Sequence, residues 1–232
     1  MLKVDLHTHT NLDPVDGLGS KHNYVLHTPE ELIAHAASLG FDAIALTHHL
    51  KNIAPENLAQ LEAKYGVLVL RGVEVEIHRA HVLLINTEVE GITTFSELAD
   101  FKKNNPNALI VAPHPFYPGK ICLGKQLVAH ITLFDAIEYS HMFSKRMNFY
   151  NKKAEQVAEQ FNKPLVGTGD VHFLSNMGHT YTYVNAAKNK DAIVAAIKAG
   201  DCVCMSEPLK VRQISRAMAR TAISFAAMLK FW

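Results

Sequence analysis

Two histidines one residue apart are the first chemical feature of this sequence. His7 and His9 stand in DLHTHT at residues 5–10, within and just after a short apolar run. If that run is a β-strand, both imidazoles point to the same face, because side chains alternate along a strand with a period of two. Histidine is the commonest metal ligand, so the pair makes up half of a transition-metal site. The remaining ligands must then come from elsewhere in the chain.

Further His, Asp and Glu residues lie in or directly after other apolar runs. They are His48 and His49 after AIALT, Glu74 within LRGVEVEI, His114 after LIVAP, and Asp170 and His172 after PLVGTG. Imidazoles beside carboxylates suit zinc, manganese or iron rather than calcium. A separate structural role for each histidine is the alternative, but it would have to hold independently at five strand ends.

Alternating strands and helices are predicted to position these residues. Strand-like runs cover residues 3–6, 42–47, 66–77, 81–85, 108–112, 135–139 and 164–167. Helical patterns run from Thr28 to a stop at Gly40 and over residues 55–65, 95–103, 146–161 and 191–199. Repeated strand–helix units predict a parallel sheet covered by helices, and their number suits a closed barrel. In such a barrel the carboxyl ends of the strands form one face, where these side chains would converge.

Composition sets the broad class of the protein. The chain has 232 residues, of which 48% are hydrophobic, and 23 basic residues balance 22 acidic ones. This predicts one soluble domain with a large core and gives no reason to expect long nucleic acid as a partner. We expect neither a signal peptide nor a transmembrane segment. Three cysteines, including the Cys202 and Cys204 pair that we interpret as core residues, favour a reducing, cytoplasmic setting.

Six motifs, in order, resemble the PHP (polymerase and histidinol phosphatase) family. They are DLHTHT, LTHHL, RGVEVE, HVLLI, PHP and GTGDVHF, and together they run to about residue 184. The resemblance implies a distorted seven-stranded β/α barrel with two or three zinc, manganese or iron ions. It also implies hydrolysis of a phosphoester by in-line attack of a metal-activated water. The ligands that it implies are His7, His9, His49, Glu74, His81, His114, Asp170 and His172, with Glu74, Asp170 and His172 also in catalytic roles.

The chain departs from the family pattern at two places. His48 stands where the family usually has the acid of Thr-Asp-His. In residues 11–27 the family has one more ligand, for which His22, Asp16, Asp13 and His27 compete. We favour His22, because KHNY resembles the His-x-Tyr of the three-metal branch.

Basic residues are needed to bind a phosphate group. Lys145 and Arg146 follow AIEYSHMF at a predicted helix start, where backbone N–H groups would add to their charge. An ordinary solvated helix terminus is the alternative interpretation. Glu138, within the same strand-like run, is expected to support other residues rather than bind metal. The substrate class that we expect is a small phosphomonoester or a nucleotide.

Residues 1–210 are predicted to form this phosphoesterase domain, and residues 211–232 a C-terminal amphipathic helix. The helix could dock on the barrel, form a homo-oligomer contact or bind a membrane surface. Two other functions remain open: a metal-dependent amidohydrolase, which also opens with His-x-His, and a non-catalytic PHP module. Glu74 and the final Asp170-x-His172 favour phosphoester chemistry.

Overall fold

The computed structural model describes residues 1–20 and 22–209 of the chain. Nine strands lie in that part: β1 (Leu2–Thr8), β2 (Ala43–Leu46), β3 (Leu68–Ile77), β4 (Ala80–Ile85), β5 (Leu109–Ala112), β6 (Ala136–Ser140), β7 (Leu165–Thr168), β8 (Thr180–Val184) and β9 (Cys202–Ser206). Six α-helices accompany them: α1 (Pro29–Ser38), α2 (Leu58–Tyr65), α3 (Phe95–Asn104), α4 (Lys125–Ala129), α5 (Phe149–Gln160) and α6 (Lys190–Lys198). None of these helices is long and apolar enough to cross a bilayer.

The strands form one sheet that nearly closes into a barrel. Their order is β7-β6-β5-β4-β3-β2-β1-β8-β9. A parallel bridge between Thr8 and Val171 joins the end of β1 to the segment after β7. The sheet therefore curls until its edge strand β7 meets β1. The Thr182 hydroxyl donates to the Gly167 carbonyl at 2.9 Å and ties β8 to the same seam.

Helix starts follow from local sequence. Thr28 and Glu31 form a capping box at the start of α1, and Thr94 and Glu97 form another at α3. In each box the Thr hydroxyl accepts a backbone N–H, and the Glu carboxylate accepts the N–H of the capping residue.

The barrel interior is apolar toward the amino ends of the parallel strands. Leu70 of β3, Leu83 and Ile85 of β4, and Leu109 of β5 belong to one buried cluster. Helix α6 adds apolar side chains to that cluster and covers this end of the barrel. The opposite faces of the strands pack against the surrounding helices in two further clusters.

A β-bulge in β1 aims the first histidine inward. Val4 pairs with Ala43 and Asp5 with Ile44, but Thr8 pairs with Leu46, so β1 has one extra residue between Asp5 and Thr8. In a bulge two consecutive residues oppose one residue of the partner strand. Residues 6 and 7 can therefore both face the interior, and residue 9 follows residue 7 on the same side.

The predicted α/β barrel class is confirmed, whereas the strand count of seven is wrong. The extra strands are β8 and β9, which continue the sheet beyond β1. The sheet is also not purely parallel, because β4, β8 and β9 pair antiparallel with their neighbours. Residues 211–232, with the predicted amphipathic helix and the homo-oligomer contact, lie outside the described residues.

Candidate metal centre

Glu74 lies at the centre of a group of histidines at the carboxyl end of the barrel. Its side chain is 1% exposed and its Oε2 atom faces three imidazoles. The distances from Oε2 are 3.3 Å to His7 Nε2, 3.5 Å to His9 Nε2 and 3.2 Å to His49 Nε2. Strands β1, β2 and β3 deliver these residues, so neighbouring strand ends meet as expected for a barrel.

The other oxygen of Glu74 faces a second pair of histidines. Glu74 Oε1 lies 2.6 Å from His81 Nδ1 and 3.4 Å from His114 Nε2. His81 stands at the start of β4, and because β4 is antiparallel to β3, its first residues reach the same end of the barrel. His78 lies in the β3–β4 turn against Phe95, with ring centroids 5.8 Å apart.

Asp170 and His172 complete the cluster from the segment after β7. Asp170 Oδ1 lies 3.4 Å from His7 Nε2, 3.6 Å from His9 Nε2 and 3.1 Å from His172 Nδ1. The His172 ring stacks on His9 with centroids 4.2 Å apart. Asp170 therefore approaches the opening histidine pair as closely as Glu74 does.

Asp5 holds the backbone that carries Asp170. The Gly169 N–H donates to both Asp5 oxygens at 3.0 and 3.2 Å, and Asp170 follows with φ +41°. A Cβ atom on Gly169 would lie 2.6 Å from Asp5 Oδ2, so glycine is required for this approach. Burial raises the pKa of Asp5 to about 7, against hydrogen bonds from the Gly169 and His7 N–H groups.

Unpartnered polar atoms within the cluster fit divalent metal ions. His9 Nε2, Glu74 Oε1, His81 Nδ1 and Asp170 Oδ1 are buried and have no hydrogen-bond partner among the described residues. His81 Nδ1 and Glu74 Oε1 lie 2.6 Å apart without hydrogen-bond geometry, as expected of two atoms that bind the same metal ion. Among the described residues, three groupings bring their ligand atoms within 4.8 Å of one another: His7, His9 and Glu74; His49, Glu74 and His81; and His9, His49 and His172.

The electrostatics of the cluster keep its carboxylates anionic. Burial raises the pKa of Glu74, but the imidazoles of His81, His7 and His49 outweigh it and hold this pKa well below the ordinary value. The pKa of Asp170 is lowered in the same way by His7 and His172. Such a site offers ionised oxygen ligands beside nitrogen ligands.

The histidines themselves differ in protonation. Burial and the charge of His172 lower the pKa of His9, so its lone pair is available to a metal. For His7, burial acts against protonation, but Asp170 and Glu74 raise its pKa well above the ordinary value. Metal binding at His7 would therefore release a proton, and affinity would fall at low pH.

Two carboxylates orient the imidazoles from behind. Asp13 Oδ2 lies 2.8 Å from His9 Nδ1 and 3.0 Å from His49 Nδ1, and it also accepts the His49 backbone N–H at 2.9 Å. Glu138 Oε2 lies 3.0 Å from His7 Nδ1, and its Oε1 accepts the His114 N–H at 3.1 Å. Contacts of this kind fix the tautomer and raise the basicity of a metal-binding imidazole.

The loop of residues 11–27 brings Asp16, rather than His22, against the cluster. Asp16 Oδ2 lies 3.1 Å from His172 Nε2 and accepts the Tyr24 O–H at 2.6 Å. His22 Nδ1 lies 2.6 Å from Asp16 Oδ1, so its ring reaches the cluster through that carboxylate. His27 Nε2 donates to the His9 carbonyl at 2.8 Å.

His48 points away from Glu74 and makes two hydrogen bonds that suit a neutral ring. Its Nδ1–H donates to the Ile53 carbonyl at 3.0 Å, and its Nε2 lies 2.7 Å from the Thr10 hydroxyl, which can donate. Burial lowers the pKa of His48 to about 4. The carboxylate contact to His49 comes from Asp13 instead of residue 48.

Two residues of this region escaped the sequence analysis. His141 follows β6, is 3% exposed, and its Nδ1 has no hydrogen-bond partner among the described residues. Cys122 Sγ lies 3.5 Å from His114 Nδ1. His141 carried a signal, because it follows an apolar strand as the other histidines do, whereas nothing in the local sequence marks Cys122.

Lys145 and Arg146 are exposed and form no part of the buried cluster. Both are exposed in the loop between β6 and α5, three or more residues before α5 begins at Phe149. The predicted helix start at residue 146 is therefore three residues early, and these side chains do not sit on a helix N-terminus.

Two family models match the chain. The PHP domain model matches residues 5–171, and the PHP-associated model matches residues 148–202. An uncharacterized protein of Methanocaldococcus jannaschii is 26% identical over 133 residues, which span 54% of this chain and 75% of that protein.

Solved structures share the fold at low identity. PsfC from Pseudomonas syringae has a TM-score of 0.62 at 16% identity, over 97% of this chain and 99% of that chain. A protein from Bifidobacterium adolescentis, proposed to be a metal-dependent phosphoesterase, has a TM-score of 0.55 at 14% identity, over 73% of this chain and 87% of that chain.

An amidohydrolase from Chromobacterium violaceum, with bound sulfate and no metal, has a TM-score of 0.52 at 15% identity, over 73% and 87%. At these identities the likeness concerns the fold. The PHP domain match covers more than half of the chain, with five of the six sequence motifs in full and the sixth as far as Val171, and on that ground this protein belongs to the PHP family.

Proposed function

We propose that the protein is a metal-dependent phosphoesterase that hydrolyses a small phosphomonoester or a nucleotide. The observation that supports this most is the buried Glu74 carboxylate, whose two oxygens face different histidines. Its Oε1 atom is buried and has no hydrogen-bond partner among the described residues. A carboxylate has two oxygens and could contact two ions, whereas a neutral imidazole offers a single lone pair, so Glu74 is the ligand that we propose the ions would share.

Two or three zinc, manganese or iron ions are the proposed cofactors. Their proposed ligands are His7, His9, His49, Glu74, His81, His114, Asp170 and His172, with Asp16 from the loop of residues 11–27 and His22 held behind it. Bound ions of this kind act as Lewis acids and lower the pKa of a water molecule so that it attacks at neutral pH.

The chain's own residues set up the rest of the reaction. Glu74 and Asp170 keep negative charge at the centre, because neighbouring imidazoles hold their pKa values low. His172 contacts both Asp170 and Asp16, so its orientation depends on two carboxylates. We assign Glu74, Asp170 and His172 the catalytic roles, and Lys145 and Arg146 the binding of the substrate phosphate from the exposed loop after β6.

The test combines metal analysis with hydrolysis of p-nitrophenyl phosphate. We expect hydrolysis that a chelator abolishes, that added zinc or manganese restores, and that Asp170→Ala removes while the fold is retained. Exposed Lys103, at the end of α3, gives a control in Lys103→Ala, which should keep full activity. A metal-loaded protein that hydrolyses no phosphoester would contradict the proposal.

Amidohydrolysis and a non-catalytic role are the two alternatives. The amidohydrolase from Chromobacterium violaceum shares the fold, so cyclic amides belong in the same assay panel. Metal binding without turnover of any phosphoester or amide would favour a structural or interaction module. The Asp170-x-His172 motif and the Glu74 carboxylate at the centre of the histidines support the phosphoesterase over these two alternatives.

A further inference from the structure

An aromatic surface lies beside the candidate metal centre, on the segments that follow β5 and β6. We call it the aromatic shelf, and it consists of Tyr117, Met142, Phe149 and Tyr150. Met142 is 37% exposed, Phe149 65% and Tyr150 39%. Large apolar side chains exposed together mark a binding surface more often than the same side chains scattered singly.

The shelf is continuous with the candidate centre. The Tyr117 N–H donates to the carbonyl of His114 at 3.3 Å, and the Tyr117 hydroxyl donates to the carbonyl of Met142 at 2.7 Å. Met142 directly follows the buried His141 at the end of β6. Tyr117 therefore spans the gap between the β5 and β6 segments that carry centre residues.

The rings of the shelf touch one another. The ring centroids of Tyr117 and Tyr150 lie 4.8 Å apart, and those of Tyr150 and Phe149 lie 6.3 Å apart at an interplanar angle of 85°. Such contacts hold the rings in place and leave aromatic surface exposed at Phe149 and Tyr150. An aromatic face in place before binding can stack on any planar ring of a ligand.

Charge on the same loop fits an anionic ligand. Lys145 and Arg146 are exposed between Met142 and Phe149, so the loop that links these two shelf residues also carries two cations. A purely polar phosphate ester, such as a sugar phosphate, would leave the aromatic surface without a partner. A phosphate ester with an aromatic ring would use both parts of the loop.

We propose that the aromatic shelf binds the leaving group of the substrate, so that the site prefers phosphoesters whose leaving group carries a planar aromatic ring. This proposal rests on the phosphoesterase function proposed above. It names the substrate class of that site and assigns Phe149 and Tyr150 as residues that determine specificity.

The test compares benzyl phosphate with cyclohexylmethyl phosphate in the full-length, metal-loaded protein. Both esters release a primary alcohol with seven carbons, so their intrinsic reactivity is similar, and they differ in whether the ring is planar. We expect kcat/KM to be about tenfold higher for the benzyl ester, a typical gain from stacking on aromatic side chains. The preference should fall several-fold in Phe149→Leu/Tyr150→Leu, which keeps apolar surface but removes both rings.

Tyr183→Leu provides the matched control. Tyr183 pairs with Lys3 at the amino end of β1, away from the candidate centre, and its ring contacts Tyr181. This variant should keep the wild-type preference. Metal content and thermal unfolding would be measured for each variant, and the wild-type ratio still tests the proposal if the double variant fails to fold.

The outcomes separate this proposal from the one on which it rests. Equal kcat/KM values for the two esters would overturn the shelf proposal and leave the phosphoesterase intact. No hydrolysis of either ester, or of any other phosphoester, by the metal-loaded protein would overturn the phosphoesterase itself. A double variant with an unchanged preference but an altered oligomeric state would assign the shelf to contacts between copies of the chain and overturn the proposal.

Discussion

The two ends of the barrel interior are built on the same strands but from opposite kinds of side chain. On β3, Leu70 and Glu74 both face inward, and Leu70 lies in the apolar cluster whereas Glu74 is the centre of the histidine group. On β4, Leu83 belongs to the apolar cluster and His81 contacts Glu74. Residues only two or four positions apart on one strand thus belong to an apolar layer and to a layer of ionisable groups.

The difference shows which end stabilises the fold. Buried aliphatic side chains contribute about 1.5–3 kcal/mol each through the hydrophobic effect. Buried carboxylates and imidazoles lose hydration, and pairing them recovers that loss only in part. The apolar end therefore carries stability, whereas the polar end leaves buried polar atoms without a hydrogen-bond partner among the described residues, as expected of a metal-binding site.

The largest effect that separates the two ends is expected for Glu74→Gln. This change keeps the shape of the side chain but removes the charge that faces five histidines. We expect kcat/KM for p-nitrophenyl phosphate to fall by about 10³-fold or more, since charge stabilisation at a reacting centre is worth that much. Steady-state kinetics at saturating zinc or manganese checks this. A fall in kcat/KM of less than tenfold would contradict a catalytic role for the Glu74 carboxylate.

Leu70→Ala, four residues earlier on the same strand, should have the opposite profile. Removing a fully buried leucine leaves a cavity, and we expect the free energy of unfolding to fall by about 2–5 kcal/mol. The number of metal ions per folded chain should stay at the wild-type value. Denaturant unfolding and elemental analysis test both parts, and lost metal with unchanged stability would reverse the division between the two ends.

Asp13→Asn tests whether residues behind the histidines also contribute to metal binding. Asp13 does not face Glu74, but it holds His9 and His49 from behind. We expect metal affinity or kcat/KM to fall by about 10–100-fold, as for other residues that orient metal-binding histidines. Asp100→Asn, on the exposed face of α3, is the control that should change neither quantity.

The smallest effect is expected for His48→Gln and concerns acid stability. The pKa of folded His48 is about 4, below its ordinary value of 6.5, because the ring is buried. A lowered pKa in a base means that its contribution is complete above pH 6.5 and is lost as the pH falls toward 4. Glutamine can keep both hydrogen bonds without titrating.

The wild type should therefore lose about 1 kcal/mol more stability than His48→Gln between pH 7.0 and 5.5. Urea unfolding of metal-free protein at the two pH values measures this difference. Equal losses in the two proteins would mean that His48 does not resist protonation in the folded state.

Much of the barrel could be predicted from the sequence because its strands carry strong local signals. The apolar runs marked seven strands, and the rule that parallel strands end on one face predicted that His, Asp and Glu residues would meet. The structure does bring His7, His9, Glu74 and Asp170 together. What the sequence predicted well is what depends on period and on strand direction.

Other features depend on long-range pairing and escaped the sequence analysis. The bulge that turns His7 inward is set by the register between β1 and β2. The turn that makes β4 antiparallel uses His78 and Arg79 with positive φ, without the Gly or Asn that usually marks such a turn. Strand β9 carries half-buried Cys and exposed Val side chains, so no polar face alternates with an apolar one.

The loop of residues 11–27 shows the same limit within the site. Four of its side chains are chemically suitable ligands, and sequence resemblance favoured His22. In the structure Asp16 meets His172 and Asp13 lies behind His9, because the loop folds back with the Asp16 carbonyl accepting the N–H groups of residues 24 and 25. Loop closure of this kind cannot be read from residue types.

We expect the polar end of the barrel to hold divalent ions around Glu74, and the metal content of the protein is the first quantity to measure. Elemental analysis of purified wild type, Glu74→Gln and Leu70→Ala, each loaded with zinc or manganese and then desalted, would give ions per chain. We expect two or three ions in the wild type and in Leu70→Ala, and at least one fewer in Glu74→Gln. No bound ion in the wild type, or the same number in Glu74→Gln, would mean that Glu74 is not the centre of a metal site.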